Sequence, residues 1–349
     1  MSEIVSYKCP ACGAPLEFDI QNQNWNCKFC LSEYTLSDLE KTDAAEPPEQ
    51  PIESSRDPYN DEAMAYTCPS CGGRIVTDKN TAATFCVYCH NPAVIASRLA
   101  DEFRPVKILP FQIEKPQVLK AMTKLMSKRP LLPKAFRDIV QKGEIGGLYV
   151  PFWLFSADMD SFLAAHGQRI MIWSDTRFRY TKTDTYHVER AASFAFRDLP
   201  ADGTERFDNR LTQALEPFDY KQMQDFSMGY LSGHYAESYD IEAPTAAVTA
   251  FSRMNDGANS MMRSLVTGYN SFQVIAQRSS KKRTENTYVM LPMWTLAADY
   301  KGKRYTFAMN GQTGKMVGKL PISIGRAAAW FAGVTAVAAA IAFAVGVFI

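Results

Sequence analysis

Eight cysteines, all within the first 89 residues and each in a Cys-x-x-Cys pair, constrain this 349-residue chain more than any other feature of it. Cys9-Pro-Ala-Cys12-Gly13 and Cys27-Lys-Phe-Cys30 leave 14 residues between their inner cysteines. Cys68-Pro-Ser-Cys71-Gly72 and Cys86-Val-Tyr-Cys89 leave the same 14, at a constant offset of 59. Short, repeated spacing of this kind reads as metal ligation rather than a disulfide framework. A Cys-x-x-Cys turn aims backbone amides at the sulfurs and brings both to about 2.3 Å from one metal; two such knuckles on a short hairpin complete a tetrahedral site. Gly13 and Gly72 supply turn residues tolerant of positive φ, and Pro10 and Pro69 stiffen the same turns. The pattern predicts two structural Zn2+ ions, one on Cys9, Cys12, Cys27 and Cys30 and one on Cys68, Cys71, Cys86 and Cys89. Four protein sulfurs leave no open position for substrate, so neither site is expected to be catalytic. His90 follows Cys89 and is an alternative ligand, but the four-cysteine set is complete without it.

At the other end, Ala327 to Ile349 runs for 23 residues without a charge. As a helix it spans about 34 Å, enough to cross a hydrocarbon core of about 30 Å. A buried core helix is the alternative, but one of this length rarely lacks a polar face. Lys315, Lys319 and Arg326 precede the run and no charge follows it, which keeps the body on the cytoplasmic side. No charged segment followed by an apolar stretch opens the chain, so no secretory signal is read there. The expectation is a tail-anchored, single-pass protein of the cell membrane with its bulk in the cytoplasm. Gly333 and Gly346 among many alanines suit close helix packing and hence a homo-oligomer or a membrane partner, although no Gly-x-x-x-Gly is present.

With 46% hydrophobic and 21% charged residues, most of the chain can bury enough apolar surface to fold. The exception is 37–63, where Pro47, Pro48, Pro51 and Pro58 accompany nine acidic residues against two basic ones; this reads as a disordered, solvated linker. The expected order is therefore zinc ribbon 1 (1–36), linker (37–63), zinc ribbon 2 (64–98), an α+β body (99–324) and a transmembrane tail anchor (327–349). Within the body, Gln117 to Ser127, Lys134 to Gln141 and Pro244 to Val266 carry helical apolar spacing. Leu148 to Met159, Ile170 to Tyr180, Tyr288 to Leu296, Tyr305 to Met309 and Lys315 to Val317 read as strands, with Asn310-Gly311 as a hairpin signal.

An internal similarity pairs Tyr149-Val-Pro151-Phe-Trp153-Leu-Phe-Ser-Ala157-Asp158 with Met290-Leu-Pro292-Met-Trp294-Thr-Leu-Ala-Ala298-Asp299, at an offset of 141. One reading is a duplicated substrate pocket lined by Trp153, Trp294, Asp158 and Asp299. The plainer one, which we favour, is that the proline starts a strand, the tryptophan packs the core and the aspartate ends the strand at a turn.

His166, His187 and His234 stand alone in sequence, and no His-Glu-x-x-His, Gly-x-Ser-x-Gly or phosphate-loop motif occurs; Gly229-Tyr-Leu-Ser232-Gly233 and Gly314-Lys-Met-Val-Gly318-Lys319 have the wrong spacing. No catalytic residue is assigned. A net charge of +1 excludes a wholly basic nucleic-acid coat. Locally, 99–142 holds ten basic residues against four acidic ones, and Lys281-Lys282-Arg283 and Lys301, Lys303, Arg304 add two clusters. Nucleic acid, anionic lipid headgroups and water all remain candidates to face these charges. The first ribbon, with four acidic residues against two basic, is a poor phosphate binder.

The pattern Cys-Pro-x-Cys-Gly…Cys-x-[Phe/Tyr]-Cys resembles the TFIIB-type zinc ribbon. Pro110-Phe111-Gln-Ile, Gly147-Leu-Tyr149-Val-Pro151-Phe-Trp153-Leu-Phe, Leu231-Ser-Gly233-His-Tyr-Ala236-Glu237, Leu291-Pro292-Met-Trp294 and Asn310-Gly311-Gln-Thr-Gly314-Lys are similar to phrases of a bacterial membrane-anchored family carrying such ribbons. Its members are often labelled primosomal or helicase-like, a label that implies a motor this chain lacks. The resemblance implies a non-enzymatic membrane protein with partners of the phage-shock-A-like or SPFH membrane-stress type, and it carries over only the eight cysteine ligands. The expected function is thus a cytoplasm-facing zinc-ribbon adaptor or scaffold that recruits protein partners to the membrane. The alternatives are a membrane-tethered nucleic-acid-binding protein and an enzyme with an unrecognised site in the body.

Overall fold

The computed structural model describes residues 4–43, 55–57, 60–100, 103–143 and 145–348. Its first cysteine segment comprises strands β1 (Ile4–Val5), β2 (Glu17–Asp19), β3 (Asn24–Asn26), β4 (Glu33–Tyr34) and helix α1 (Leu36–Asp43). The second comprises β5 (Ser55–Asp57), β6 (Asn60–Thr67), β7 (Arg74–Asp78), β8 (Thr81–Phe85) and β9 (Pro92–Ile95). The body follows as β10 (Lys107–Ile108), α2 (Lys115–Ser127), α3 (Lys134–Lys142), β11 (Ile145–Ser174), β12 (Arg179–Asp202), α4 (Asn209–Leu215), β13 (Gln224–Asp225), β14 (Tyr235–Glu237), α5 (Ala243–Ser264), β15 (Ser271–Tyr300), β16 (Lys303–Asn310) and β17 (Met316–Gly318). Helix α6 (Ile324–Phe348) ends the fold. Two four-cysteine segments, a mixed α+β body and one long apolar helix are therefore present.

The linker expectation is corrected over part of its length. Residues 37–43 continue α1, 55–57 form β5 and 60–63 open β6, while the rest of 37–63 lies outside the described residues. The reason is local. The Asp38 carboxylate accepts from the Thr35 amide at 3.0 Å and hydroxyl at 2.6 Å, capping the helix, and Leu39 is buried.

The chain divides into two compact units. The first holds residues 1–150, 206–238 and 290–349. Its sheet runs β1-β9-β8-β14-β11-β15-β10-β13, with β16 and β17 continuing from β15. Each cysteine segment gives strands to it, β1 from the first and β8 and β9 from the second, while β2-β3-β4 and β5-β6-β7 form separate three-stranded sheets. Strand β1 pairs antiparallel with β9, so Ile4 joins Tyr66, Ile75 and Ile95 in the core of the second segment. Strand β8 in turn pairs with β14. In the first segment, Phe18 packs edge-on and Trp25 at a tilt against Tyr230, each with ring centroids 5.2 Å apart, and the Trp25 indole donates to the Gly229 carbonyl at 2.8 Å. Gly229 permits this approach, because a Cβ there would meet the indole at 3.3 Å. Helix α6 is long and apolar enough to cross a membrane, and none of its described span is buried.

The second unit holds 151–205 and 239–289. Here β11 and β12 form a long antiparallel hairpin, from Phe152 opposite Asp202 to Ser174 opposite Arg179, beside the first part of β15. Alternate residues Phe155, Ala157, Met159, Leu163 and Ala165 face α5, which answers with the stripe Ala246, Ala250, Met254, Ala258 and Met262. Small residues in that stripe bring the helix close to the strands. The expected strand Ile170 to Tyr180 is corrected: Asp175 turns the chain inside it, its carboxylate accepting from the amides of Arg177 and Phe178.

The repeated Pro-x-Trp phrases do not start strands, as Pro151 and Pro292 lie inside β11 and β15. Each proline immediately precedes a new antiparallel pairing, at Phe152 opposite Asp202 and at Met293 opposite Asn310, where its missing N–H costs little. The Pro151 carbonyl accepts from Gly203 and the Pro292 carbonyl from Gly311. Gly203 then accepts from the amides of Asp240 and Ile241, and Gly311 from those of Gln112 and Ile113. Finally, the Trp153 indole donates to Ile241 and the Trp294 indole to Ile113, both at 2.8 Å. The same lock therefore recurs in each unit. Asp299 stands one residue from the end of its strand, but Asp158 lies in mid-strand, paired with Arg197 at 2.7 Å. Asn310-Gly311 opens the hairpin between β16 and β17, as its sequence signals, but the loop runs on to Lys315, whose carbonyl accepts from the Asn310 backbone amide at 2.9 Å. Lys301-Gly302 joins β15 to β16, while the buried Asn310 side-chain amide donates to the Leu215 carbonyl at 3.0 Å.

Candidate metal centres and their setting

All four knuckles share one turn. The Cys9 amide donates to Ala14, Cys27 to Ser32, Cys68 to Gly73 and Cys86 to Asn91, and each cysteine carbonyl accepts from the amide four residues on. That fourth residue has positive φ: +75° at Gly13, 60° at Leu31, +72° at Gly72 and 57° at His90. The glycines adopt it freely, whereas Leu31 and His90 are held there by the turn. This is the position of His90; it is exposed and lies outside the sulfur cluster.

The turns converge Cys9, Cys12, Cys27 and Cys30 into one group, and Cys68, Cys71, Cys86 and Cys89 into another, with all sulfurs of a group within 4.8 Å. Cys9 and Cys30 sulfurs lie 3.5 Å apart and Cys12 and Cys27 sulfurs 3.4 Å; the matching pairs in the second group lie 3.7 Å apart. Tetrahedral thiolates at about 2.3 Å from a metal stand about 3.8 Å from each other, against about 2.0 Å in a disulfide. The donor set therefore fits a metal ion in each group. The Tyr34 hydroxyl, 3.4 Å from the Cys9 sulfur, holds that thiol down at about 6. Although the Ala14 amide favours its thiolate, the neighbouring Cys27 sulfur and burial push Cys12 up to about 12. Four sulfurs this close ionise together only around a cation.

The first cysteine of each knuckle is buried and the second is exposed or half-buried, and the tips of the second knuckles face outward. Phe29, Leu31, Val87 and Tyr88 are all more than two-thirds exposed. The second segment is fixed by Arg206, whose guanidinium bridges Asp78 of that segment and the buried Glu237. Burial would raise the Asp78 carboxyl, but the Thr81 hydroxyl and Arg206 outweigh it and hold it below the usual carboxylate range.

Among curated proteins the chain is similar to the uncharacterized protein YdjG of Bacillus subtilis (strain 168), at 33% identity over 331 residues, covering 95% of this chain and 94% of the relative. The chain belongs to the YdjG family. No protein-family profile matches it, and no solved structure does.

Beyond the cysteines, this YdjG-family chain does not assemble the duplicated pocket. Trp294 lines an open cavity of about 600 Å³ with Lys115, His234 and Thr295, whereas Trp153 and Asp158 line other surroundings. His234 is the buried residue that sequence reasoning passed over, stacked on Phe111 at 4.5 Å. Burial pushes its ring down to about 4, against slight opposition from the Ser232 backbone. A sequence signal was available for the two locks: Ile113-Glu114-Lys115-Pro116 and Ile241-Glu242-Ala243-Pro244 repeat Ile-Glu-x-Pro immediately before or at the start of α2 and α5.

Proposed function

We propose that the chain is a non-enzymatic, cytoplasm-facing adaptor anchored in the membrane by α6, in which two structural Zn2+ ions hold TFIIB-type ribbons that recruit protein partners. The observation carrying this reading is the contrast between closed sulfur clusters and exposed apolar knuckle tips. All four ligand positions of each site are filled by cysteines, so the metal offers substrate nothing, while Phe29, Leu31, Val87 and Tyr88 present apolar surface to solvent. Because Trp25 and Arg206 fix the two segments within the first unit, each tip is held by an anchored segment, which lowers the ordering cost of docking. Lys315 and Lys319 before α6 and Arg326 in its first turn support the cytoplasmic orientation. Partners of the phage-shock-A-like or SPFH type follow from the family resemblance.

The test is affinity purification of the full chain from detergent-solubilised membranes, beside a Phe29→Ser/Leu31→Ser/Tyr88→Ser variant. Metal analysis should give two zinc per chain for both. A near-stoichiometric protein partner present with the parent and lost with the variant supports the adaptor; the same partners recovered with both overturn the role of the tips.

A further inference from the structure

At the foot of α6 the chain forms a mostly apolar groove with two cations in its lining. Lys128, Arg129 and Leu131, from the segment after α2, line it together with Leu320, Ile322 and Trp330 of α6 and the stretch before it, around 440 Å³. No acidic residue is in the lining. The groove is pre-formed, because the Arg326 guanidinium donates to the Leu132 carbonyl at 2.7 Å and the Ser323 amide to the Leu131 carbonyl at 2.9 Å. Trp330 also borders a shallow apolar track down α6, lined by Ala329, Gly333, Val334, Val337, Ala338 and Ile341. From 329 to 341 that track descends about 18 Å, close to one leaflet of a bilayer core of about 30 Å.

We propose that groove and track together bind one anionic phospholipid, its phosphate between Lys128 and Arg129 and an acyl chain along α6. This rests on α6 spanning a membrane. Charge complementarity selects the headgroup, since two cations without a facing carboxylate suit a phosphate and disfavour a second cation. Continuity selects the rest of the ligand: a soluble phosphate would leave the track empty, and a headgroup-plus-chain molecule fills both. Trp330 stands one helical turn past Arg326, the depth at which an indole sits between headgroups and hydrocarbon. Ile322 and Ile324, 68% and 85% exposed, are covered by nothing in the chain among the described residues, and lipid would cover them.

The full chain, purified in mild detergent, is titrated with phosphatidylglycerol and with phosphatidylcholine and read by native mass spectrometry. The parent should retain one phosphatidylglycerol with a preference on the order of ten-fold. Lys128→Gln/Arg129→Gln should bring that preference near unity, Gly333→Leu should lower retention of both lipids by filling the track, and Lys301→Gln/Lys303→Gln should change nothing. Equal retention of the two lipids by the parent, or an unaltered preference in the Lys128/Arg129 variant, overturns the site, as would a second protein helix seated on the track with no lipid retained. Carbonate washing separates the two readings. A chain that stays in the washed pellet yet shows no preference fails only the lipid site, whereas a chain absent from the pellet fails the spanning reading first.

Discussion

His234 shows how much one ring can contribute to pH dependence. It is enclosed by Phe111, Tyr149 and Trp294, with the Phe111 ring stacked on it at an interplanar angle of 12°. An unfolded histidine takes its proton near pH 6.5, while the folded ring waits until about 4. Between those values the unfolded state binds more protons, so stability falls as pH falls through the window, by on the order of 3 kcal/mol. Denaturant titrations from pH 7 to pH 4 should show that loss in the parent and a shallower one in His234→Gln; parallel curves would remove the ring from the account. No catalytic or ligand motif marked this histidine; the phrase Leu231-Ser-Gly233-His-Tyr-Ala236-Glu237 entered only as a family resemblance, with no role for the ring. The cysteines were legible for the opposite reason: thiolate ligation imposes a spacing, and 59 residues later the same spacing returns. Leu31 and His90 lie between these cases, since the cysteines revealed the knuckles but not that a branched side chain and an imidazole would be held at positive φ.

Among the elements, the two Trp locks carry the clearest prediction. Each indole proton satisfies a carbonyl at the residue before a helix N-cap, Ile113 before Glu114 and Ile241 before Glu242. Trp153→Phe and Trp294→Phe keep an aromatic ring but strand that carbonyl, and each should cost about 1–3 kcal/mol. Equilibrium unfolding of the two variants should give similar losses; a neutral Trp294→Phe, at the more buried of the two sites, would deny the lock its role. Helices α2, α3 and α5 were legible in their apolar spacing, within a few residues of their ends. The strands were not. At 30 residues each, β11 and β15 exceed what alternation signals, because only part of each faces a core and the rest is exposed on both sides. Proline in mid-strand also reads as a boundary from sequence alone, whereas here it marks a change of pairing partner.

For the molecule as a whole, the decisive question is what the metal sites hold together. The composition of 37–63 suggested a solvated linker between the two ribbons, and nothing local marked the contacts made across great sequence distance: Ile4 with Ile95, Trp25 with Gly229, Asp78 with Arg206. Such contacts leave no local trace, since Trp25 reads like any strand tryptophan until Tyr230 is brought beside it. They also mean that metal should stabilise more than the cysteine segments. Stripping the ions should release Phe18 and Trp25 from the core they share with Tyr230 and Leu231, and with them the cover over 226–234. The second unit has its own cores, around α5 and the β11–β12 hairpin, to which no residue of either cysteine segment contributes. Limited proteolysis of the chelated full chain, mapped by mass spectrometry, should therefore open new cuts in 4–43 and in 226–234 while 151–205 and 239–289 stay protected. Cuts confined to the cysteine segments would show that the Trp25 contact stabilises nothing beyond them; cuts spread evenly over both units would show a single cooperative core, with the division at Val150 and Met290 mechanically meaningless.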